Sequence, residues 1–118
     1  MITKLKPNQI FIFGSNMAGR HGAGAAAQAR RDFGAEYGVG EGLTGQCYAF
    51  PTLTEDFQRV SNTQLKASRL LLYKTAEAHP ELEFLLTKVG CGLAGFSEAT
   101  MKRLFKNAPA NIRKPDGW

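Results

Sequence analysis

Apolar and polar positions follow two rhythms along this chain, and the switches between them mark its elements. Gln9 to Phe13 is a short β-branched and aromatic run preceded by Pro7-Asn8. Its continuous apolar character fits a strand in a sheet buried on both faces. From Ala23 to Phe33 the rhythm is helical: Ala25, Ala26, Ala27 and Ala29 favour a helix that packs closely on a sheet, while Arg30, Arg31 and Asp32 face water. Gly34 is the expected stop. Gln46 to Phe50 predicts a second strand, ended by Pro51. Ser61-Asn62-Thr63-Gln64 has the form of a capping box. It opens a long helix to about His79, with Leu65, Leu72 and Ala76 on one stripe and Leu71 and Tyr73 widening it. His79-Pro80 closes that helix.

Leu82 to Val89 predicts a third strand, and Ser97 caps a helix through Lys106 with Met101, Leu104 and Phe105 turned inward. Ala110 to Lys114 reads as a last short strand. Strands alternating with helices imply an α/β fold around a largely parallel or mixed sheet. With 118 residues, no internal repeat and no linker, the expectation is a single domain over residues 1–118.

Two strand-to-helix junctions break the pattern with glycine. The first runs from Gly14 to Gly24, and nine of the 13 glycines fall between Gly14 and Gly45. The second is Gly90-Cys91-Gly92-Leu93-Ala94-Gly95-Phe96. Such loops let a ligand's phosphate approach the backbone and meet a helix N-terminus. In open α/β sheets ligands sit beyond the carboxyl ends of the strands, so two parallel strands would place both loops on one crevice. The chain has no Gly-x-x-x-x-Gly-Lys-Ser/Thr, and Gly14-Ser15-Asn16 followed by Gly19 is no dinucleotide fingerprint. Each loop alone is equally well explained as a tight turn without a ligand.

A net charge of +5 and a pI of about 9.5 suit an anionic ligand and also RNA or DNA. The charge is diffuse along the sequence. Arg30-Arg31, Lys102-Arg103 and Arg113-Lys114 are the adjacent basic pairs, and the first two lie on predicted helices and are expected to be solvated. No RNA-recognition signature or zinc finger accompanies them, so nucleic acid is the minority reading. Cys47 and Cys91 have no metal-site spacing and read as reduced thiols. No metal or cofactor is expected. Met1 to Pro7 is too polar for a secretory signal, and no apolar run approaches the roughly 20 residues of a membrane span, which predicts a cytoplasmic protein with no membrane partner.

Gly22 to Gly34, Gly-Ala-Gly-Ala-Ala-Ala-Gln-Ala-Arg-Arg-Asp-Phe-Gly, resembles the Gly-Ala-Gly-Ile-Ala helix of macrodomains. It is closest to the branch that includes the terminal ADP-ribose protein glycohydrolase, which also has a basic stretch followed by Phe-Gly. Val89-Gly90-Cys91-Gly92-Leu93 resembles that branch's Ile-Gly-Cys-Gly-Leu loop, and Gln46 to Thr52 falls at its middle strand. The resemblance covers roughly residues 9–106 and extends to a phage or bacterial group of such proteins. It implies a three-layer α/β/α sandwich of minimal, macrodomain-like size that binds ADP-ribose or a related nucleotide, free or carried by an ADP-ribosylated macromolecule. By that resemblance Gly14, Ser15, Asn16 and Gly22, Ala23 and Gly24 line the distal ribose and diphosphate, with Thr52 beside them. Gly90, Cys91, Gly92, Leu93, Ala94 and Gly95 cradle the diphosphate from the other side, and Phe96 abuts a ribose or ring.

Departures from the branch weaken the enzymatic reading. Its aspartate after Gly-Cys-Gly-Leu is Ala94 here, and its lysine on the first helix falls among Arg30, Arg31 and Asp32. Arginine has too high a pKa to supply a neutral amine, so a lysine–aspartate mechanism is disfavoured. Another hydrolytic route would use Asn16 to orient a water or hydroxyl and His21 as general base. Against it stand a loop-capping Asn16 and a His21 bonded to backbone. Arg20 is a candidate phosphate partner. Cys91 reads as a small buried thiol rather than a nucleophile. Glu41 and Asp56 lie in loops expected near the site and are the carboxylates to test. Three functions follow: an ADP-ribose-class binder, a small ADP-ribosyl hydrolase or ADP-ribose phosphatase, and a basic nucleic-acid-binding protein.

Overall fold

The central strand is the one the apolar run foretold, and it is longer. A computed structural model describes residues 2–118. Strand β1 covers Gln9–Asn16, so the first residues of the glycine loop are still strand. Helix α1 follows at Gly24–Phe33 and ends at Gly34, which takes the left-handed conformation at φ 80°. Strand β2, Gly42–Thr44, lies between the first predicted helix and the second predicted strand, where the sequence predicts no element. Strand β3 is Cys47–Leu53, helix α2 Asn62–Ala78, strand β4 Glu83–Leu86, helix α3 Glu98–Leu104 and strand β5 Ile112–Arg113.

The five strands form one mixed sheet in the order β2-β3-β1-β4-β5. β1 pairs in parallel with β3 and β4, β4 in parallel with β5, and β2 antiparallel with β3. Pro51 does not end β3 as expected from its missing N–H. It sits opposite Ser15 of β1, beyond the stretch of β3 that β2 pairs, so no ladder bond is lost. The third predicted strand is shortened to four residues. Thr87 leaves the sheet, tied by its hydroxyl to the Ile12 carbonyl at 2.8 Å.

Alternate positions on the strands feed two cores. Ile10, Ile12, Tyr48, Phe50, Phe84 and Leu86 pack with Leu65, Leu72 and Ala76 of α2 and Met101 and Leu104 of α3. Phe11, Phe13, Cys47 and Ala49 pack with Ala26, Ala29 and Phe33 of α1. The alanines of α1 bring that helix close enough for the Cys47 thiol to reach the Phe33 carbonyl at 3.7 Å. On α2 the stripe differs from expectation. Leu71 is exposed, and Ser68 is buried in its place, with Gln64 donating to its hydroxyl at 2.9 Å. Caps follow the sequence: Ser61 accepts from the Gln64 N–H and Ser97 from the Thr100 N–H. No helix among the described residues is long and apolar enough to cross a membrane.

Leu72 is fully buried between α2 and the sheet. Leu72→Ala is expected to lower stability by about 2–5 kcal/mol, the range for a buried leucine truncation. A urea titration checks this, with the midpoint falling and the slope unchanged.

Candidate functional site

Parallel pairing of β1 with β3 and β4 brings the ends of three strands together. The backbones of the two glycine loops touch there: a side chain at Gly14 would meet the Gly90 nitrogen at 3.4 Å. At Gly90, φ is +77° and a Cβ would crowd Phe96, Met101 and Thr52 within 3.1–3.2 Å, so both conformation and space require glycine. Between and above these loops lies a cleft of about 670 Å³. Its wall contains Gly14, Ser15, Asn16, Arg20, His21, Gly22, Ala23 and Gly24 from the first loop, Thr52 from β3, and Gly90, Gly92, Leu93 and Ala94 from the second.

The remaining sequence candidates lie elsewhere. Cys91 packs on the core under α3, its thiol directed at the Val89 carbonyl at 3.6 Å. Burial, and then the nearby Glu98, pushes its pKa up, so it is a poor nucleophile. Gly95 and Phe96 face Arg59 rather than the cleft. Glu41 and Asp56 are absent from the wall; Asp56 accepts from the Thr54 hydroxyl within its own turn.

The two catalytic candidates of the sequence, Asn16 and His21, are both bonded to loop backbone, the alternative role each was given. Asn16 donates to the Arg20 carbonyl at 2.8 Å and accepts from the Arg20 N–H at 3.0 Å, which engages both ends of its amide. His21 is buried edge-on to Phe13, with Nε2 3.1 Å from the Val39 carbonyl. A carbonyl only accepts, so Nε2 carries a proton, and burial favours the neutral ring by lowering its pKa from the ordinary 6.5. Nδ1 is buried and meets no partner, so it has no route to abstract a proton from a substrate in this arrangement. The segment around Val39 walls the loop closely. The Gly38 N–H donates to the Gly19 carbonyl at 2.8 Å, the Ser15 hydroxyl donates to the Gly40 carbonyl, and a Cβ at Gly40 would lie 2.6 Å from the Asn16 carbonyl oxygen.

What remains free is backbone N–H. Helix α1 is the one helix without a side-chain cap. From His21 to Ala26 no N–H has a protein acceptor among the described residues. The N–H groups of Gly92, Leu93 and Ala94 are likewise unpaired there. Both sets belong to the cleft wall. Arg20, Arg30 and Lys88 add positive charge, and no Asp or Glu lines the cleft. Unpaired donors, the positive end of a helix dipole and a wall without carboxylates make a site for an anion.

Comparison with protein-family models, curated proteins and solved structures finds no match for this chain.

Three wall residues, Tyr37, Phe57 and Lys88, belong to no motif in the sequence. Tyr37, Phe57 and Leu93 are exposed apolar side chains at the cleft, and the Arg30 guanidinium lies 4.9 Å over the Tyr37 ring. Phe57 holds φ at 64°, in the left-handed region, at the end of a turn closed by Thr54. An isolated aromatic in a polar loop was the only available signal for Tyr37 or Phe57. Lys88 directly precedes the second glycine loop and pairs with Glu98 at 3.1 Å. Arg59 has no sequence signature at all. It donates to the Ala94 carbonyl at 2.8 Å and to the Gly95 carbonyl, and it stacks over Phe96 at 5.0 Å. It is the clamp on the second loop. Among the described residues no three His, Cys, Asp or Glu side chains gather as metal ligands.

Arg59→Ala is expected to free the second loop. Amide exchange at Gly95 and Phe96, whose N–H groups bond to Gly92 and Gly90, should quicken about tenfold or more while core amides keep their protection. Arg59→Lys should not restore it, because one ammonium cannot replace a two-pronged fork. His21 supplies a pH test. Burial lowers its pKa from the ordinary 6.5, against the pull of the Val39 carbonyl, with Arg30 lowering it further. The unfolded chain therefore binds this proton at higher pH than the folded one. Stability is full above about pH 6.5 and falls as pH drops through that value toward the folded pKa. Urea midpoints from pH 8 to 5 should show this fall in the wild type and not in His21→Asn.

Proposed function

We propose that this chain binds ADP-ribose or a related ADP-ribose-containing nucleotide in the cleft between its two glycine loops. The observation that carries the reading is the run of unpaired N–H groups from His21 to Ala26, facing a second unpaired set at Gly92–Ala94 across a cleft without carboxylates. A diphosphate suits two such sets, one from each side. Tyr37, Phe57 and Leu93 offer apolar surface for a base and ribose, and about 670 Å³ lies within the roughly 300–1,000 Å³ usual for small-molecule sites.

The same reading includes a three-layer α/β/α sandwich of minimal, macrodomain-like size. Support comes from α1 on one set of strand side chains and α2 and α3 on the alternate set. Support also comes from the order of the resemblance motifs, with one glycine loop leading into α1 and the other preceding α3. The ligand is a free nucleotide or one borne by an ADP-ribosylated macromolecule. Binding is favoured over hydrolysis because Asn16 and His21 are engaged with backbone and the wall lacks a carboxylate to serve as acid or base.

Calorimetry with ADP-ribose tests the proposal. Saturable binding is expected, and ligand at 100 times its Kd should add about 2.7 kcal/mol of stability. Positions 22 and 92 have open space where a side chain would grow, so Gly22→Leu and Gly92→Leu should leave the melting temperature unchanged. Each should weaken ADP-ribose binding at least tenfold by filling the cleft. No heat at millimolar ADP-ribose would overturn the reading. Release of ADP-ribose from a modified protein, lost in His21→Ala, would replace binding by hydrolysis.

A further inference from the structure

Charge that is scattered along the sequence is gathered in the fold. Residues 58–76 and 99–115 hold nine of the 15 lysines and arginines and none of the 10 acids. The first segment contains most of α2 and the second most of α3. The two helices lie side by side over one core. The Arg69 guanidinium donates to the Leu104 carbonyl at 3.1 Å, and the Tyr73 hydroxyl donates to the Lys106 carbonyl at 3.0 Å. Those bonds join the middle of α2 to the C-terminal end of α3. Lys66 and Lys74 on α2, and Lys102, Arg103 and Lys106 at α3, are exposed around this seam.

None of these six cations has a carboxylate partner among the described residues. The four ion pairs are Arg31–Asp32, His79–Glu81, Lys88–Glu98 and Arg113–Glu83, all elsewhere. Two acids border the face. Glu77 lies one turn beyond Lys74, and Glu98 opens α3, where Lys88 and the Trp118 ring nitrogen already hold it.

We infer that the outer face of α2 and α3 docks the phosphate backbone of a nucleic acid. The cations are spread along the helices and not pooled at a point. Lys66 to Lys74 alone spans about 12 Å of helix axis at 1.5 Å per residue. That matches a linear array of phosphates, one charge per about 1.7 Å of duplex, and exceeds what a single phosphate needs. A lipid surface fits less well. The apolar stripe of α2, Leu65, Leu72 and Ala76, is buried in the core, which leaves Leu70 and Leu71 as the exposed large apolar side chains of that helix, too little for an amphipathic membrane face. The contacts fall on backbone phosphates, so this face binds without sequence preference. The inference stands apart from the cleft and needs no nucleotide there.

The test is fluorescence anisotropy with a labelled 20-base-pair DNA duplex and no ADP-ribose present. Binding at 50 mM salt is expected, weakening about a thousandfold by 200 mM, as six phosphate contacts require. Lys102→Glu with Arg103→Glu and Lys106→Glu should abolish it while the melting temperature and ADP-ribose calorimetry stay unchanged. Lys66→Gln with Lys74→Gln, a milder change, should weaken it at least tenfold and reduce the salt slope by about two. Duplex binding unaffected by either set, or abolished instead by Arg20→Glu with Arg30→Glu at the cleft, would overturn the inference. So would failure to bind duplex at 50 mM salt, or binding only to vesicles of phosphatidylserine and phosphatidylcholine.

Discussion

The structure turns on the contact between Gly14 in the central strand and Gly90 beyond β4. A side chain at Gly14 would rest directly on the second loop's backbone, 3.4 Å from the Gly90 nitrogen, and Gly90 is held in a left-handed conformation against Thr52, Phe96 and Met101. That closeness follows from parallel pairing. β1 runs alongside both β3 and β4, so three strands finish at one edge and the chain leaves each of them into the same space. The cleft lies between two of those exits, both rich in glycine.

Around this junction the protein satisfies its polar groups unevenly. α2 and α3 begin on serine caps, and Asn16, Ser15 and His21 are all bonded to loop backbone. At α1 and at Gly92–Ala94 the N–H groups are left open. The side chains that look reactive in sequence build the frame, and the backbone between them offers the chemistry. Arg59 completes that frame from a distance. It reaches from the turn after β3 to hold two carbonyls of the second loop.

Electrostatics divides the same way. Carboxylates are kept out of the cleft wall, and elsewhere hydrogen-bond donors hold them below their usual range: Lys88 and Trp118 at Glu98, and the Gln9 amide with Arg113 at Glu83. Cations without partners collect on the outer face of α2 and α3. A molecule with a net charge of +5 thus presents two positive regions of different character. One is concave and made of N–H groups, and the other is a broad surface of long side chains.

Local patterns were enough to read the order of four of the five strands and of the three helices, the serine caps, the glycine stop after α1 and the two glycine loops. Each of these depends on residues close together in the chain, through periodicity, capping geometry or the freedom of glycine at positive φ. Pairing was not legible in that way. Gln46 to Phe50 gives no hint that β3 lies beside β1, that Pro51 falls past the end of β2, or that Gly42–Thr44 forms an edge strand. Nor could spacing tell that His21 would meet Val39, that Arg59 would meet Ala94, or that Tyr37 and Phe57 would share a cleft wall. These depend on contacts between residues far apart in sequence, where side chains meet only after the sheet has chosen its order. The residues by themselves determined where the chain could bend and where it could bury. The tertiary structure decided which of its donors, rings and charges would be left free.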